Sequence, residues 1–316
     1  MSTETPQTET PQTETTQTAT PIAGVFVPRR RQFTFKRWFA RTGWRHLVGI
    51  VMVIFSAFPL LFVLSSSLNP HGTLTGSNAL FSKVGLDAYI RILNTPEQPF
   101  AAWFGNTLVI AGTTSICTVF LGALAAYSFS RMRFTGRRTG LLTLVLVQMF
   151  PQLLAVVAIF LVMSTIGDLF PAIGLNTQIG LIMVYLGGAL GVNTYLMYGF
   201  FNTVPASIDE AAKIDGASHA RIFFTIILRL VAPILAVVAL LSFIATTNDF
   251  VVASVLLVDP EKQTLAVGLY NLVSNPNYAD WSAFAAGAVL AALPVMALFL
   301  YLQKYIVGGL TAGSEK

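Results

Sequence analysis

Charge is what this chain has least of. Only 10% of its 316 residues are Asp, Glu, Lys or Arg, against 54% apolar. A soluble domain carries about 25% charged residues. Cysteine is nearly absent too. The single Cys117 lies inside an apolar run, so no intramolecular disulfide can form, and no Cys-x-x-Cys or Cys/His metal spacing occurs. It reads as a small core residue. There is no Gly-x-x-x-x-Gly-Lys-Ser/Thr loop, which excludes ATP hydrolysis by that chemistry. His46, His71 and His219 fall in three separate loops and do not form a ligand set. With no cluster of acids, bases or metal ligands, nothing points to an enzyme. The net charge of +5 sits in clusters and speaks to membrane topology rather than to nucleic acid.

What is present is apolar length. A helix needs about 20 apolar residues to cross the hydrocarbon core. Six segments qualify: 47–68, 104–128, 140–163, 178–201, 231–257 and 282–306. The expected fold is an all-α polytopic membrane protein with six transmembrane helices. Gly and Pro recur inside the runs, as at Pro151, Gly187, Gly188 and Pro294. Neighbouring helices make such residues tolerable in membranes.

Lys and Arg set the orientation. Sixteen of them fall before the first run, between the second and third, between the fourth and fifth, and after the sixth; only three fall in the other loops. Both termini and the 202–230 loop are therefore expected in the cytoplasm. Residues 1–28 read as a Thr/Gln/Pro-rich cytoplasmic tail, with TETPQ at 3–7 and again at 8–12. Low hydrophobicity and few aromatics predict disorder there. The segment lacks the basic start and apolar core of a signal peptide. Residues 29–103 form a basic juxtamembrane stretch, the first span and an outside loop. Residues 104–306 form a five-span core, and 307–316 a cytoplasmic tail.

One polar segment stands out between the fourth and fifth runs, EAAKIDGASHARIFFTIILRLVAP at 210–233. Pro205, Ser207 and Asp209 are helix-start residues. Asp209 and Glu210 suit a helix N-terminus. Ala211, Ala212 and Ile214 give a small apolar face. Gly216 permits a sharp bend. Helical periodicity resumes through Ile222, Phe223 and Ile227, and Pro233 marks entry into the next span. A helix lying on the membrane surface is one reading; the Gly-centred bend and small Ala face favour a protein socket.

Asp249 is the sole carboxylate inside an expected span, beside Thr246, Thr247 and Asn248. Intramembrane acids are functional candidates by default. Asn248 and Asp249 could break the fifth helix or line a path. The outside loop with Asn275, Pro276, Asn277 and Tyr278 suits a carbohydrate or protein partner, and a plain solvated loop almost as well.

The spacing of Glu210-Ala211-Ala212, Asp215-Gly216-Ala217, Phe223 and Pro233 resembles the EAA loop of ABC importer permeases. The likeness extends to Ala126–Phe134, Gln148–Pro151, Ile173–Thr177, Tyr185–Gly188, Thr264–Gly268 and Gly308–Gly313. Together these resemble permease subunits of maltose/maltodextrin-type importers over roughly residues 45–314. One departure is Arg229, where that family usually has Pro, which bears on the kink ahead of the fifth span. The resemblance implies a type I importer permease fold with a cytoplasmic coupling helix in the inner membrane. It implies a second permease subunit, two ABC ATPase subunits that carry ATP and Mg, and an extracytoplasmic sugar-binding protein. Residues 210–233 would couple to the ATPase, and Gly308, Gly309, Leu310 and Thr311 would face it. Asn275 to Tyr278 would reach the binding protein. No cofactor, metal or catalytic residue is expected on this chain. The substrate class would be maltose/maltodextrin-type α-glucosides, with trehalose or another oligosaccharide as the alternative; a self-sufficient carrier is the other architecture.

Overall fold

The structure is a computed structural model that describes residues 39–70, 80–96, 98–275 and 279–312. Residues 1–28 and Pro276, Asn277 and Tyr278 lie outside them. The chain divides into two units, residues 1–54 and 55–316. In the first, a π-helical turn (Phe39–Gly43) leads into helix α1 (Trp44–Ser67). The second contains the rest of α1 and every other described helix. These are α2 (Asp87–Asn94), α3 (Phe100–Arg131), α4 (Arg137–Gln148), α5 (Gln152–Leu169), α6 (Gln178–Phe201) and α7 (Ala206–Ile214). They continue with α8 (His219–Leu230), α9 (Ala232–Asn248), α10 (Val251–Leu256), α11 (Leu265–Asn271) and α12 (Trp281–Ala312).

Four helices are long and apolar enough to cross a membrane, or up to six if each of two bent pairs counts as one span. One bent pair divides an expected span. The run 140–163 is two helices, α4 and α5, meeting at 101°. Pro151 lacks an N–H and adopts ψ 115°, and a residue before proline avoids helical angles. Hydropathy sees one run where backbone chemistry makes a corner. The run 231–257 ends as α9 at Asn248; Asp249 is extended, and α10 follows. That interruption was foreseen from the polar patch. Ahead of it, α8 and α9 meet at 78°, so the kink persists with Arg229 in place of Pro. Val231 sits at ψ 7°, and Pro233, within the first turn of α9, has no N–H for the Arg229 carbonyl.

α3 is the central helix. It packs along α6 and α9, and α9 packs in turn on α12. Lipid is as apolar as leucine, so close packing and hydrogen bonds rather than water exclusion hold such helices together. The contact faces fit that rule. Thr107, Thr114, Ser115 and Thr118 of α3 are buried, and Ser115 donates to the Ala239 carbonyl of α9 at 2.7 Å.

At the start of α6, Asn176 has φ +57°. Its amide oxygen accepts from the N–H groups of Val258 and Asp259, at 2.6 and 3.1 Å, while its own N–H bonds to Leu256. Thr177 caps α6 by accepting from Gly180 N–H. The Ile173–Thr177 motif is thus a clamp between α6 and the chain after α10.

Candidate functional site

The α7–α8 segment begins as a short helix because Pro205, in extended geometry, starts it and Asp209 lies in its first turn. It ends in a Schellman turn. Gly216 N–H bonds to the Lys213 carbonyl and Ala217 N–H to the Ala212 carbonyl, both at 2.9 Å, and Gly216 has φ +78°. Ser218 then caps the next helix by accepting from Arg221 N–H. The expected sequence of helix, glycine bend and second helix is what the chain forms.

The segment has two faces. Ala212, Ile222, Phe223 and Ile227 are buried in one core with Ala126, Tyr127, Met197 and Phe201. Glu210, Ala211, Lys213 and Asp215 are exposed. Ile214 is 86% exposed, an unusual state for a large apolar residue at a helix end. Of the residues predicted to couple, Ala212 and Phe223 therefore anchor the segment. Glu210, Ala211, Asp215 and Gly216 face outward, and Ala217 and Pro233 are half-buried.

The end of α3 grips this segment. The Tyr127 ring lies 5.1 Å from that of Phe223, and its hydroxyl is 3.5 Å from His219 Nδ1. Arg131 Nε lies 2.5 Å from Asp209 Oδ2, the Asp209 side chain being buried and that of Arg131 10% exposed. Among the described residues neither Asp209 oxygen accepts a hydrogen bond, so the pair is held by charge. Arg131 Nη2 donates to the Val204 carbonyl at 2.8 Å, and Ser130 Oγ donates to Asn202 Oδ1 at 2.9 Å. Sequence reasoning missed the Arg131–Asp209 pair. In the sequence Arg131 reads as a topology charge within the Ala126–Phe134 stretch and Asp209 as a helix-start residue. The available signal was two opposite charges, each at the edge of an apolar run.

A second polar feature lies within the bundle. A cavity of about 1090 Å³ is lined by α4, α5, α6, α9 and α10. Two of the motif segments, Gln148–Pro151 and Tyr185–Gly188, meet Asp249 on its wall. Gln148 Nε2 donates to the Gly188 carbonyl. Tyr185 Oη donates to Asp249 Oδ1 at 2.8 Å. The same Asp249 oxygen accepts from Val252 and Ala253 N–H, both at 3.1 Å. Asp249 therefore caps α10 and faces the cavity at once. Asn248 is exposed and is not part of the lining.

Among the remaining expected residues, Asn275 is exposed. Gly308, Gly309, Leu310 and Thr311 are helical backbone at the end of α12. Among the described residues no group of three or more His, Cys, Asp or Glu could hold a metal ion.

A many-helix apolar bundle with a largely apolar cavity, holding a few polar groups at its helix breaks, and an exposed, anchored helix–turn–helix defines a membrane permease. Residues 118–311 match the family described as binding-protein-dependent transport system inner membrane component, and the chain belongs to that family. It is 42% identical to the maltodextrin transport system permease protein MdxG of Bacillus subtilis (strain 168), over 85% of this chain and 93% of that one. It is 38% identical to the galactooligosaccharides transport system permease protein GanQ of the same organism, over 89% and 97%. A chain of a bacterial ABC transporter involved in the import of the acidic polysaccharide alginate matches with TM-score 0.72 at 23% identity, over 86% of this chain and 99% of that chain. At that identity the likeness shows the fold alone.

Proposed function

We propose that this chain forms one half of the translocation path of an ATP-driven importer for maltodextrin-type α-glucosides. A second permease subunit completes the path. Two ATPase subunits, which carry ATP and Mg, dock on α7–α8, and a sugar-binding protein delivers the sugar on the other side. Both termini and the 202–230 loop lie in the cytoplasm, in keeping with the bias of Lys and Arg. The chain is itself non-catalytic. Residues 308–311 face the ATPase, and 275–278 reach the binding protein. ATP-driven closure of the ATPase draws α7 inward and rocks the spans between two states that fit the ATPase differently.

The observation that carries this reading is the two-sided α7. Asp209 and Ala212 fix the helix to the bundle, while Glu210, Ala211 and Ile214 are presented outward. An exposed apolar residue flanked by charge suits a partner's cleft. We expect Glu210→Lys to lower uptake about ten-fold or more, because reversing a charge across a docked interface costs several kcal/mol. Uptake in proteoliposomes and co-purification of the ATPase check this; normal values for both would refute the docking role.

The substrate rests on the relatives, and these divide between α-glucosides and galactooligosaccharides. A thermal-shift screen of the cognate binding protein decides between them. Stabilisation by maltotriose supports the proposal, whereas stabilisation by trehalose or a galactooligosaccharide alone replaces the substrate but not the architecture.

Asp249 tests the path. Asn keeps the acceptor oxygen that holds Val252, Ala253 and Tyr185, yet removes the charge. We expect Asp249→Asn to assemble normally and to import several-fold more slowly. Asp249→Ala loses the cap as well and should be destabilised by about 1–3 kcal/mol. Equal uptake by Asp249→Asn and the parent would leave Asp249 a purely structural residue.

A further inference from the structure

We infer that Arg131 is a positioning residue that ties the coupling segment to α3, so that movement of α7 is delivered directly to the central helix. This rests on the reading of α7–α8 as the ATPase dock. The link through the chain itself is indirect. Pulling α7 acts on α9 only after the Gly216 turn, α8 and the 78° corner at Val231. Each of these lengthens the covalent path between the dock and α9.

The Arg131 contacts bypass all three. On one turn of α3, Tyr127 and Arg131 lie at i and i+4 and so share a face. Tyr127 packs on Phe223 of α8. Arg131 pairs with Asp209 of α7 and holds the Val204 carbonyl just ahead of it. α3 therefore grips both arms of the segment and its entry. From there α3 packs along both α6 and α9. The ion pair is also poorly compensated, since among the described residues Asp209 accepts no hydrogen bond. A buried carboxylate held only by charge keeps its place only while Arg131 does. Such a contact makes a stiff, specific joint.

The test uses the assembled importer in proteoliposomes, with its binding protein and maltotriose as probe. In Arg131→Gln we expect the ATPase to co-purify at normal stoichiometry and ATP hydrolysis to continue. Sugar imported per ATP should fall about ten-fold, within the usual range of coupling between sites. Arg131→Lys, which keeps the charge, should recover part of the ratio. The exchange Arg131→Asp with Asp209→Arg should exceed either single variant. An unchanged ratio in Arg131→Gln would overturn the inference, as would a loss of uptake that merely tracks the amount of assembled complex. If the parent chain bound no ATPase at all, the docking reading would fail instead, and that is seen before any variant is made.

Discussion

Gly216→Pro cuts uptake more than about ten-fold while the helical bundle stays folded; Gly216→Asn leaves both uptake and bundle intact. This contrast follows from the backbone alone. Gly216 sits at φ +78°, and nothing lies within 4 Å of a Cβ added there, so room is not the constraint. Proline is locked near −65° and has no N–H. It cannot take the left-handed position, and it deletes the bond to the Lys213 carbonyl. Asparagine visits that region readily and keeps the N–H. Residues forced into such backbone cost about 1–3 kcal/mol each. That is small against a membrane bundle. For a nine-residue helix with one anchored face it is enough to change where Glu210 and Ile214 point. Circular dichroism and detergent melting should match the parent for both variants. Uptake per assembled complex should fall more than about ten-fold for proline, on the scale of about 1.4 kcal/mol per decade, and stay within about two-fold for asparagine. Equal uptake by the two variants would mean that the turn does not position the docking face.

This turn was legible in the sequence because its cause is local. A glycine following a short Ala-rich helix needs no distant partner to be read. The membrane class and four of the spans were legible for the same reason, since hydropathy is a property of one stretch of chain. The interruption at Asp249 was legible as a polar patch in an apolar run. What escaped was pairwise. Arg131 finds Asp209 78 residues on, and Tyr185 finds Asp249 64 residues on; the spacing along the chain of neither pair encodes the meeting. The corner at Met149–Pro151 escaped differently. Proline is common inside membrane helices, so Pro151 by itself did not separate a tolerated kink from a 101° turn. Arg229 shows the converse. The family's usual proline is missing there, yet Pro233 and Val231 suffice to bend the entry to the fifth span.

Gly268→Ala destabilises the chain about as strongly as a core cavity would, by overfilling instead of emptying. A Cβ at 268 would overlap the Trp103 indole at three of its atoms. Trp103 is 2% exposed, and its Nε1–H donates to the Pro260 carbonyl at 2.7 Å. The ring cannot swing aside without breaking that bond. The backbone cannot easily retreat either. Leu265 N–H is held by Thr107 Oγ1 at 2.7 Å, and Asn106 donates to the Glu261 and Gln263 carbonyls. α3 therefore pins the segment just ahead of the glycine. Overpacking of this kind costs about 1–3 kcal/mol. Trp103→Phe alone also destabilises, by losing the Pro260 bond, but it shrinks the obstructing ring. Combined with Gly268→Ala it should cost less than the two single effects added, by at least about 0.5 kcal/mol. Strict additivity would show that the indole is not what excludes a side chain at 268. At 1.5 Å of rise per residue, Trp103 and Arg131 are separated by about 42 Å along α3. Gly268→Ala should therefore lower the melting temperature while ATPase co-purification per folded complex stays at the parent value. A variant that instead shed the ATPase would make α3 a rigid lever over its whole length rather than a local clamp at each end.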